Sequence, residues 1–134
     1  MAITQVEQDN ITLVRRGFEA FEAHDMAALG ELFDADATWH GAPAGVLTGT
    51  YTGRDAVFGM FGQIGTETDG SFHAVPSEFA AAGDTVFVRT VASGSRKGRK
   101  LESREVLVFT LRGGKVREVE FFVYDHPANV TFWS

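Results

Sequence analysis

The sequence predicts an α+β domain, with three N-terminal helices packed on one face of a curved, mostly antiparallel sheet. Two observations carry this prediction. Up to about residue 65 the apolar side chains recur at spacings of three and four, the period of a helix with one buried stripe. From residue 71 the period falls to two, in four runs separated by short turn signals. Helices in one half and strands in the other do not follow the alternating order of a doubly wound parallel sheet. The whole chain, 1–134, is read as one domain. Its 44% hydrophobic and 22% charged residues are ordinary for a globular protein, and twelve phenylalanines can fill its core.

The first helix carries Ile11, Val14, Phe18 and Phe21 on its buried stripe and runs to about Ala23. Thr4 with Glu7 reads as a capping box, and Asp9 or Asn10 offers a later start. Asp25 caps a short second helix, 26–33, that buries Leu29, Leu32 and Phe33. Asp34-Ala35-Asp36 breaks the helical pattern, and 37–40 has the β-branched and aromatic content of a short strand. A glycine-rich loop follows over 41–53, with a brief extended stretch at 49–52. Thr52 or Gly53 then caps the third helix, which buries Val57, Phe58, Phe61 and Ile64 and ends at Gly65.

Residues 72–81, 85–93, 100–112 and 115–124 read as strands, joined at Gly83-Asp84, 94–98 and Gly113-Gly114. Connections this short make the four strands an antiparallel meander. In the last run, alternation turns Val119 and Phe121 inward and Glu118 and Glu120 outward. In 85–93 both alternating sets are largely apolar, as a sheet covered on both faces requires.

Composition removes several function classes. Without cysteine there is no disulfide, no thiolate nucleophile and no Cys-ligated zinc. The four histidines, at 24, 40, 73 and 126, form no local pair, so neither a metal site nor a cofactor is expected. A net charge of −6 argues against nucleic acid, and the basic run 96–100 reads as a solvated hairpin tip. The sequence shows no leader and no apolar run of membrane-spanning length, so a cytoplasmic location is expected.

Four stretches carry a family resemblance: 32–40 (LFDADATWH), 49–57 (GTYTGRDAV), 108–116 (VFTLRGGKV), and the final Asp125-His126-Pro127-Ala128 with Phe132-Trp133. In this order the set resembles the SnoaL-like group of the NTF2-like superfamily. The resemblance implies a cone with a deep apolar pocket between sheet and helices, commonly dimeric through the outer sheet face. It implies no single reaction, because isomerases, cyclases, epoxide hydrolases and binding proteins share the superfamily. The expected partners are a small apolar organic ligand, of polyketide, steroid or terpenoid type, and a second copy of the chain.

Fitting 100–112 to the isomerase members turns Glu105, Leu107 and Phe109 inward and sets Arg89 beside Glu105 in the cavity. Glu105 is then a candidate acid or base and Arg89 a candidate oxyanion partner; a structural ion pair is the alternative. That register leaves Val86, Val88, Val106, Val108 and Phe122 for the dimer face. Phe18, Phe58, Phe61, Leu107, Phe109, Phe121 and Trp39 are expected around the cavity. His40 reads either as an acid or base at the rim or as a structural histidine, and Tyr51 either covers the mouth or packs on the third helix. Asp125 either approaches the pocket or caps the tail turn. Two departures from the isomerases stand out: their carboxylate base falls at Gly41 and their helix-one tyrosine at Gly17, while Glu105 takes the place of their protonated carboxylic acid. Of the epoxide hydrolase set only Arg89 is matched, with Val91 and Phe121 at the aspartate positions.

Overall fold

Helix α1, Gln5–Glu22, starts at the capping box: Thr4 Oγ1 accepts from the Glu7 amide at 3.1 Å, and Glu7 Oε1 accepts from the Thr4 amide at 2.9 Å. The second Glu7 oxygen accepts the Gly83 amide at 2.8 Å, so the same cap ties the helix to a distant hairpin turn. The computed structural model describes residues 2–41 and 44–134. Asp25 caps α2, Met26–Leu32, through the Ala28 amide. Strand β1, Phe33–His40, begins four residues earlier than expected, because Phe33 leaves the helix and is buried as the first strand residue. A single 3₁₀ turn at Gly45–Leu47 and a short β2, Thr50–Thr52, lead to α3, Arg54–Glu67, which runs two residues past Gly65.

The meander is β3, His73–Ala82, β4, Thr85–Arg96, β5, Arg99–Arg112, and β6, Lys115–Val123. A fourth helix, α4, His126–Trp133, follows where the sequence indicated only a capped turn. Asp125 is its cap, accepting the Ala128 amide at 3.0 Å, which decides that residue's role. The sheet order is β2-β1-β6-β5-β4-β3, antiparallel throughout except for the parallel pair β1–β6. Among the described residues the fold is therefore α+β with a mixed six-stranded sheet and four helices rather than three.

One register corrects the expected arrangement. Lys97 and Gly98 both have positive φ and form a two-residue turn that pairs Arg96 with Arg99. Counting back along the ladder, Thr90 lies opposite Glu105 and Arg89 opposite Val106. Val86 and Val88 thus face inward and are fully buried, whereas Arg89 belongs to the outer face. The turn also corrects the solvated reading of 96–100. Arg96 is buried, with Nε 2.8 Å from Glu67 and Nη1 donating to the carbonyls of Phe132 and Ser134. Arg99 donates to the Thr131 carbonyl at 2.8 Å, so two arginines hold the last turn of α4 against the hairpin.

Candidate functional site

Three rows of side chains cross the inner face of the sheet. Val86, Phe109, Val119 and Trp39 form one, Val88, Leu107 and Phe121 the next, and Thr90, Glu105 and Val123 the third. Helices α1, α2 and α3 close over these rows and leave a cavity of about 80 Å³. Phe18, Trp39, Phe61, Leu107, Phe109 and Phe121 line it, as expected. Edge-to-face contacts fix the rings: Phe18 on Phe109 at 5.9 Å, Phe21 on Phe61 at 5.3 Å and Trp39 on Phe61 at 5.4 Å. Phe58 stands behind this wall, stacked on Phe61 at 5.8 Å. Tyr51 packs against the core, its hydroxyl donating to the Leu47 carbonyl at 3.0 Å.

Glu105 is the one ionisable side chain among the described residues that line the chamber. It is 7% exposed, and burial pushes its carboxyl up to about 8. The Ser103 hydroxyl, hydrogen-bonding to the carboxylate, acts in the opposite direction and is outweighed. Near neutral pH Glu105 is thus an uncharged acid able to donate a hydrogen bond.

Neither of the other two expected acid–base or oxyanion candidates joins it. The side chain of Arg89 is 68% exposed on the outer face and pairs with Glu78 at 2.9 Å. Because Trp39 points inward, His40 points outward; its side chain is 43% exposed and its Nε2 lies 3.3 Å from Glu118. Among the described residues no three His, Asp or Glu side chains come together as a metal site requires, and no helix is long and apolar enough to cross a membrane.

Three polar residues that sequence reasoning missed sit beside Glu105. Thr90 was readable only with the correct register and Asn129 only with the unforeseen α4, whereas Ser103 shares the inward alternation of Glu105 on β5. All three are buried. Asn129 Nδ2 donates to Ser103 Oγ and to the Asp125 carbonyl, both at 3.0 Å. Gly17 faces the chamber from α1 with open space beyond it.

Comparison with known proteins now adds to this geometry, for the SnoaL-like domain matches residues 14–119. The chain belongs to the SnoaL-like family. An uncharacterized protein of Mycobacterium tuberculosis, Rv0034, is 28% identical over 126 residues, 93% of this chain and 96% of that protein. Bal32a, from a soil-derived mobile gene cassette, superposes with a TM-score of 0.93 at 34% identity, covering 97% of this chain and all of the other. IdmH of Streptomyces antibioticus, a candidate polyketide cyclase, shares the fold with a TM-score of 0.76 at 20% identity, over 91% of this chain and 96% of its own. The resemblance read from the four motifs therefore holds at the level of family and fold.

Proposed function

We propose that this SnoaL-like protein binds a small, mostly apolar organic molecule bearing a neutral acceptor oxygen, such as a ketone or enone. Protonated Glu105 donates the orienting hydrogen bond. The observation that carries this reading is the lone neutral carboxyl in an otherwise apolar chamber. A donor at a carbonyl oxygen also stabilises the charge that develops there when a neighbouring carbon loses a proton or attacks. The chemistry that fits is cofactor-free isomerisation, cyclisation or hydration, and the fold shared with IdmH supports a polyketide-like substrate.

Size restricts the ligand. A cavity near 150 Å³ admits benzene, and this one is about 80 Å³. Anything larger than a very small molecule therefore enters by displacing rings of the Phe21, Phe61 and Phe72 cluster.

A second reading, a binding protein without turnover, is favoured by Gly17 and Gly41, which stand where related isomerases carry a tyrosine and a base. One series separates the two. Cyclic enones should bind more tightly than carboxylates or amines of the same shape, and Glu105→Ala should weaken them about 5- to 100-fold by removing a buried donor. Glu105→Gln keeps a donor and should retain binding while losing turnover. Equal binding of carboxylates, or an indifferent Glu105→Ala, overturns the functional reading; wild-type affinity without turnover selects the binding protein.

A further inference from the structure

The polar corner around Glu105 contains two hydrogen bonds with a fixed direction, both donated from α4. Asn129 is 1% exposed, and its Nδ2 meets both the Asp125 carbonyl and Ser103 Oγ at 3.0 Å. A backbone carbonyl only accepts, so the amino end of Asn129 must occupy this position, and both its hydrogens are used. Ser103 lies two residues before Glu105 on β5, on the same face. With a lone pair of Oγ taken by Asn129, its single hydrogen is left to turn away from α4 and toward the Glu105 carboxyl, two residues along the same face.

We infer that Asn129 is a positioning residue for Glu105: by holding Ser103 Oγ as an acceptor it commits the Ser103 hydroxyl to the carboxyl, and so links the seating of α4 to the orientation and proton affinity of the chamber's acid. The inference rests on the reading of Glu105 as the ligand-orienting group. The surroundings are simple enough for the link to be measured. Thr90 faces Glu105 from β4 and Val123 from β6. Arg89 and Arg104 point outward, and Asp125 and His126 are exposed on α4. Thr90 Oγ1 and Asn129 Oδ1 are buried without a partner among the described residues.

The test is a carbon-13 titration of the side-chain carboxyls, with Glu105 assigned as the signal missing from Glu105→Gln. Ser103→Ala should raise the Glu105 midpoint by about half to one pH unit, since a hydrogen bond to the charged form is lost. Asn129→Ala should move it the same way, and adding Asn129→Ala to Ser103→Ala should move it no further. Ser103→Thr, which keeps the hydroxyl, should restore the wild-type value. In the wild type the Asn129 side-chain amide resonances should follow the Glu105 midpoint, and in Ser103→Ala they should not; this measurement stands even where Asn129→Ala fails to fold. A midpoint in the ordinary carboxylate range sinks the functional reading and this inference together. A raised midpoint that ignores Asn129, a shift equal with and without the Ser103 hydroxyl, or amide resonances deaf to the titration sinks this inference alone.

Discussion

Glu105 is neutral in the fold up to about pH 8 but ionises near 4.5 when the chain unfolds, so its proton couples to stability. Between those values the native state holds more protons than the unfolded state, and stability falls as pH rises. The loss is on the order of several kcal/mol across that window, levelling off above the folded midpoint. Glu105→Gln should flatten that slope and be the more stable protein at pH 9, as urea unfolding at a series of pH values will show. Two glycines in the same neighbourhood behave in opposite ways. Gly17 lies inside α1, and a methyl added there meets nothing within 4 Å, so Gly17→Ala should stabilise by about 0.5–1 kcal/mol. Gly41 has a φ of 76° and its added Cβ would sit 3.0 Å from the Phe121 carbonyl oxygen, so Gly41→Ala should destabilise by about 1–3 kcal/mol. Thermal melts of the two variants test the contrast. They also bear on Gly41 as a vacant base position: a side chain there is strained, whatever its chemistry.

At the scale of elements, α4 is the piece held most unusually. Its last turn presents carbonyls to Arg96 and Arg99, and Arg96 is itself buried against Glu67 of α3. Arg96→Ala removes the partner of a half-buried carboxylate and frees those carbonyls together, and should cost about 3 kcal/mol. Hydrogen exchange should show α4 losing protection ahead of the sheet, whereas Arg96→Lys, which cannot span the same acceptors, should fall between. The same hairpin shows what was legible in the sequence. Helix stripes, caps at Thr4 and Asp25, and the four-strand meander followed from local periodicity and local hydrogen bonding. Register is a property of pairs, and it hung on one turn. Taken as a five-residue loop, 94–98 left both faces of β4 open, because Phe87 and Val91 are as apolar as Val86 and Val88. Taken as Lys97-Gly98 alone, it puts Thr90 beside Glu105 and Arg89 outside. Helix α4 was hidden for a different reason: its buried stripe, Asn129, Phe132 and Trp133, is a single turn headed by a polar residue while Val130 is exposed, so only tertiary packing reveals it.

At the scale of the molecule, the outer face of the sheet is left with more apolar surface than a monomer needs. Val75, Phe87, Val106 and Phe122 are exposed there. The register makes neighbours of Phe87 and Val108 and of Val106 and Phe122. Charged groups share this face: Arg89, opposite Val106, pairs with Glu78, and His40 pairs with Glu118. Four strands about 4.8 Å apart, the shortest nine residues long at about 3.4 Å each, present a face of about 19 by 30 Å. That is the order of the roughly 800 Å² per partner of a standard interface. We therefore propose a homodimer through this face, with Phe87 and Val75 taking the places first expected of Val86 and Val88. Phe122 already meets solvent in the single chain, so Phe122→Asp should leave the monomer's stability within about 0.5 kcal/mol. It should nevertheless convert a dimer at micromolar concentration into a monomer, because each copy would bury an unpaired carboxylate in the interface. Val88→Asp, buried in the core, should instead unfold the chain, and Arg89→Met should leave the Glu105 titration unchanged. Light scattering of the wild type and Phe122→Asp decides the matter, and a wild type that is monomeric at micromolar concentration removes the dimer.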